Sequence, residues 1–148
     1  MNIKLIIISF IFFIVVIPCI LFANDTNNNI VTIHNKLDQC IENYPSTVGQ
    51  IDCIDIALKD FDKKLNTAYK ELINSFDQEG KEALRQSQRK WIQFRDSEIE
   101  FLGHYYRNFS GTMYSPMHAH EILSITSKRA QELQNYLDFL KEHGEEQQ

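Results

Sequence analysis

The sequence predicts an all-α fold: a small bundle of three long amphipathic helices and a short N-terminal helix, held by one disulfide. Three observations lead there. Apolar residues recur at steps of three and four through most of the chain, the spacing of one helical face. No stretch alternates apolar and polar residues as a half-buried strand would. Only 5 Gly and 3 Pro are present in 148 residues, too few for the many tight turns of an all-β domain. The length suits one domain, and the 43% hydrophobic and 24% charged content suits a globular chain with a core.

At the N-terminus, Met1 to Lys4 carries one positive charge and Leu5 to Phe22 none at all, with Ala23 ahead of a polar stretch. That order is the layout of a secretory signal peptide, residues 1–23, and cleavage after Ala23 is the favoured reading. An uncleaved membrane anchor is an alternative, because the apolar run approaches the ~20 residues that a span needs. Lipidation at Cys19 is another, disfavoured by Pro18 where a small residue is needed. Each reading makes the protein exported, to the periplasm or beyond, with membrane attachment only if the leader stays.

Loss of residues 1–23 removes one Lys and no acid, which takes the net charge from −5 to −6. An acidic surface disfavours nucleic acid and favours basic partners. Cys19 leaves with the leader, so Cys40 and Cys53 remain, and two cysteines in an oxidising compartment point to a structural disulfide. Two thiols at that separation lack the spacing of a metal site.

Residues 24–32, rich in Asn, read as a polar linker. A short helix is expected from about Ile33 to Tyr44, stopped by Pro45. Thr47-Val48-Gly49-Gln50 fits a capping box at the start of the next helix. That helix carries Ile54, Leu58, Phe61, Leu65, Tyr69, Leu72 and Phe76 on one face, and Gly80 marks a break. A second long helix carries Leu84, Trp91, Phe94, Phe101, Leu102 and Tyr105. Asn108 to Ser115 is a loop, and Ser115-Pro116 reads as N-cap and first helical residue. The last helix holds Ala119, Leu123, Thr126, Ala130, Leu133, Leu137 and Leu140. The helical domain thus covers residues 33–142, with a polar tail at 143–148.

Polar residues beside the apolar seams form the first candidate constellation. Asp62 and Asn66 on one helix are placed to partner Arg95 and Gln88 on its neighbour. A buried amide or guanidinium left unpaired costs about 1–3 kcal/mol, so such a set would fix which faces meet. An acid–base pair in a cleft is the functional alternative. No nucleophile with an adjacent base accompanies it, so no catalytic residue is assigned and a structural role is favoured.

The pattern Asp62, Leu65, Asn66, Tyr69, then Leu84, Arg85, Gln88, Arg89, Trp91, Ile92, Arg95, Asp96, then Thr126, Arg129, Leu133 resembles the lysozyme inhibitor LprI family of exported bacterial proteins. The resemblance spans about Cys40 to Leu137. It implies an all-α, exported, non-catalytic binding protein with no cofactor and no small-molecule substrate. The implied partner is a basic lysozyme; the alternative is another envelope protein, met by an interaction or scaffolding module without lysozyme affinity. Family members usually carry a further cysteine pair where this sequence has Ile99 and Glu121. Their joint loss implies that those two would bond each other, that Cys40 pairs with Cys53, and that the last interhelical loop is unstapled and more mobile here.

The resemblance supplies no inhibitory residue, so a contact segment is sought in this chain. The stretch Phe109 to His118, with Tyr105, Tyr106, Phe109, Tyr114 and His118, is the candidate partner-binding loop. Met113, Met117, His118 and His120, with His104 upstream, raise metal binding as a third reading of the chain. His118 and His120 are two apart and face different ways on a helix, so surface histidines at a helix start are favoured and no metal site is assigned.

Overall fold

A computed structural model describes residues 25–144. The leader and residues 145–148 of the tail lie outside the described residues. The architecture is all-α, with α1 at Asp25–Asn43, α2 at Thr47–Ser75, α3 at Gln78–Tyr106 and α4 at Tyr114–His143.

Helix α1 begins ahead of the expected Ile33, within the stretch read as a linker. Ile30, Ile33 and Leu37 fall on one helical face and are buried in the core, so tertiary burial carries the helix back through the polar Asn-rich start. The Cys40–Cys53 disulfide then ties α1 to α2, with Cα atoms 5.7 Å apart. His34 packs its ring on Phe61 with centroids 5.0 Å apart, a second link between the same helices.

The chain turns from α1 to α2 through Pro45, and the cap sits one residue earlier than the Thr47 box. Ser46 is the N-cap and its hydroxyl accepts from the Gly49 amide at 3.1 Å. The Gln50 side chain donates instead to the Pro45 carbonyl at 2.8 Å. Gly49 is required by close approach: a Cβ there would lie 2.6 Å from the Tyr44 carbonyl oxygen. At the next corner Asp77 caps α3, its Oδ1 accepting from the Gly80 amide at 2.9 Å. Helix α4 starts at Tyr114, so Ser115 and Pro116 lie inside its first turn and Met113 holds the cap position without a side-chain bond. Proline is tolerated there because first-turn amides have no intrahelical acceptor.

The core lies between α2 and α4, which run parallel. Lys141 near the end of α4 pairs with Glu71 near the end of α2 at 3.0 Å, while Met117 and His120 near its start line a groove with Gln50 and Ile54. Ile54, Phe61, Leu65 and Leu72 of α2 meet Leu123, Ala130, Leu133 and Leu137 of α4, all buried. These are the residues of the two seams read from spacing.

Helix α3 differs from the expectation. Leu84 and Trp91 are partly buried against the core and Gln88 is its one buried residue, but Phe94, Phe101 and Tyr105 stand 56%, 57% and 47% exposed. On a helix these three line up one above another, on a strip adjoining that of Leu84, Gln88 and Trp91. The apolar surface of α3 is wider than the contact α4 offers it, and one strip is left open to solvent.

Candidate functional site

The polar constellation assembles differently from its expected pairing. Asp62 and Asn66 are exposed and bond each other along α2, with Asn66 Nδ2 donating to Asp62 Oδ2 at 3.0 Å and to the Asp62 carbonyl at 2.8 Å. Arg95 pairs with its neighbour Asp96 at 2.7 Å and lies over the Trp91 ring, 5.2 Å from its centroid. Tyr69 is partly buried against the core. None of the contacts of Asp62 or Asn66 reaches Arg95 or Gln88.

The cross-helix link is made by Arg129 instead. Its Nε donates to Gln88 Oε1 at 3.1 Å, and Nη2 to the Ser87 hydroxyl at 3.2 Å, both on α3. Nη1 donates to Glu132 Oε2 at 2.6 Å on its own helix, and Tyr136 donates its hydroxyl to the other oxygen of Glu132 at 3.0 Å. Burial alone would raise the Glu132 pKa, but the bonds from Arg129 and Tyr136 and the Arg129 charge outweigh it and hold it below the ordinary value. The hydrogen bond to Glu132 and its charge raise the Tyr136 phenol. Each nitrogen of the Arg129 guanidinium donates to a partner, and the set links α3 to α4 as a clamp.

The candidate loop residues are brought together at the opposite end of α3. Tyr105 packs edge-on to Tyr106 and to Phe109, each with centroids 5.2 Å apart. Phe109 stacks on Tyr114 at 5.0 Å, and Tyr106 meets His118 at 5.6 Å. The five rings form one connected cluster that closes the turn between α3 and α4, with Gly111 at φ 123° allowing the chain to reverse. The loop expected to be slack therefore carries its own packing. His118 Nε2 lies buried with no hydrogen-bond partner among the described residues. Burial first, then the charge of Glu121, raises the Tyr106 phenol.

Between the clamp and the cluster runs an open groove of about 440 Å³, which the sequence did not reveal. Trp91, Phe94 and Leu102 of α3 and Ile125 of α4 give it apolar walls, and Glu98 and Glu121 line it. No group of three or more His, Cys, Asp or Glu among the described residues is arranged to hold a metal. No described helix is long and apolar enough to cross a membrane.

These features define a class of protein: a disulfide-stapled helical bundle whose polar clamp fixes α3 on α4 and whose exposed aromatics gather along α3 and its turn. Its sequence matches the model of the family described as lysozyme inhibitor LprI over residues 40–133, and the chain belongs to that family. The fold is similar to the crystal structure of an uncharacterised protein from Burkholderia thailandensis, at 29% identity and a TM-score of 0.66. That match covers 72% of this chain and 53% of the other, so the chain spans about half the length of its structural relative. No curated protein matches.

Proposed function

We propose that this protein is an exported, non-catalytic binding protein that inhibits lysozyme. The observation that carries the reading is the family match across residues 40–133, which takes in α2, α3, the aromatic turn and most of α4. The net charge of −5 supports it, since an acidic protein is steered toward a basic enzyme. So does the shape of the α3–α4 turn. A muramidase cleft works through two carboxylates, and an inhibitor needs only to occlude them. The exposed Tyr105 and Phe109 of that turn, with Tyr114 stacked on Phe109, supply aromatic anchors of the kind that dominate protein interfaces.

Replacing residues 109–115 with a Gly/Ser linker tests the role of the turn. The reading expects inhibition of a basic animal lysozyme to fall at least tenfold while the helical content is kept. Unchanged inhibition would remove the turn from the mechanism.

A further inference from the structure

We propose that the groove between α3 and α4 is the docking site for an arginine or lysine side chain of a cationic protein partner. Its aliphatic stem would lie on Phe94, Leu102 and Ile125, and its charged head between Glu98 and Glu121. The identity of the partner as lysozyme rests on the reading above; the chemistry of the groove does not.

Two observations place a cation there. Glu98 and Glu121 come from different helices into one groove, and neither has a hydrogen-bond or ion-pair partner among the described residues. The positive charge of Arg129 at the groove's far end is committed to Glu132, which leaves Lys128 as a single cation against two carboxylates. The walls supply the rest. Phe94 in the groove wall and Phe101 and Tyr105 beside it are exposed, and aromatic rings attract guanidinium and ammonium groups and cover their alkyl stems.

A second copy of this chain fits the face poorly. Gln88 faces Arg129 while Tyr106 faces His118, so α3 and α4 run antiparallel and Glu98 and Glu121 sit near one level. A two-fold contact through that level would bring four carboxylates together. The groove also continues into the aromatic turn, since Leu102 lines it one turn before Tyr106 and the Glu121 charge reaches Tyr106. One partner can therefore meet both.

The test measures binding of the full chain to two probes, a basic animal lysozyme and an arginine-rich peptide with no enzyme activity. The wild type is compared with Glu98→Gln/Glu121→Gln and, separately, with Phe94→Ser. The proposal expects the double variant to lose at least tenfold in affinity for both probes with its thermal midpoint unchanged, and Phe94→Ser to lose affinity for both. Lysozyme binding that is unaffected by the double variant overturns the groove and leaves the inhibitor reading standing. Peptide binding that needs both glutamates, without any lysozyme binding, supports the groove and overturns the inhibitor reading. Absence of binding to either probe overturns both. A dimer in sedimentation equilibrium that Phe101→Ser dissolves overturns the groove proposal, because the second copy would then be the occupant of this face.

Discussion

Arg129 on α4 donates its Nε to Gln88 Oε1 on α3 at 3.1 Å, across 41 residues of sequence, and both side chains are buried. Helix α3 buries no other side chain, so its position on the bundle depends on this bond and the half-buried Leu84 and Trp91 more than on a broad apolar contact.

Removing the guanidinium alone should therefore be costly. Arg129→Met keeps the alkyl stem but strands the Gln88 amide and frees Glu132, and a loss of about 2–3 kcal/mol is expected in urea denaturation. Adding Gln88→Leu removes the stranded group. The double variant should recover part of the loss, which a double-mutant cycle reads as a coupling between the two sites.

The disulfide makes a separable contribution. Replacing Cys40 and Cys53 together by Ser opens the loop they close and should cost about 3 kcal/mol. The loss should be greatest for α1, which docks mainly on α2 and through this bond. Circular dichroism melts with and without reductant check it: the oxidised chain should melt higher.

Glu132 gives the clamp a pH dependence. Its folded pKa lies below the ordinary glutamate value, so its stabilisation is full above that value. It is lost as pH falls through the folded pKa, where the carboxylate protonates and releases Arg129. Stability profiles of wild type and Glu132→Gln should run apart at neutral pH and converge in acid. A gap of constant size down to pH 2 would contradict the assignment. Its size will be modest, because Glu132 is itself exposed.

Gly49→Ala would ordinarily stabilise a helix by about 1 kcal/mol. Here the added methyl meets the Tyr44 carbonyl oxygen at 2.6 Å and Tyr44 Cβ at 2.7 Å, and backbone cannot yield as a side chain can. The variant should instead be destabilised by about 1–3 kcal/mol, measured by thermal unfolding.

The seams of α2 and α4 were legible because Phe61, Leu65 and Leu72 and their counterparts Leu123, Leu133 and Leu137 repeat at helical spacing, and burial follows that spacing directly. Where α1 begins was not. Residues 24–29 are polar, and only contact with the rest of the bundle makes Ile30 and Ile33 core residues. The polar set was found as residues but not as pairs. Asp62 and Asn66 share a helical face and satisfy each other locally, whereas the reach of Arg129 to Gln88 depends on how α3 crosses α4, which periodicity does not encode. Phe94 and Phe101 have the spacing of a core face and are exposed all the same, because spacing fixes a direction and not what lies in that direction. The aromatic residues of the turn are visible in the sequence one by one; their assembly into a single cluster is a product of the fold.

Lysozyme inhibition is checked by titrating the purified protein, with its disulfide formed, against a basic animal lysozyme. Muramidase activity would be followed at low and at physiological salt. The account expects activity to fall in proportion to added protein and to reach a plateau near equimolar ratio, with the effect surviving physiological salt. Full activity at a large molar excess, or inhibition that vanishes once salt screens the charges, would contradict it.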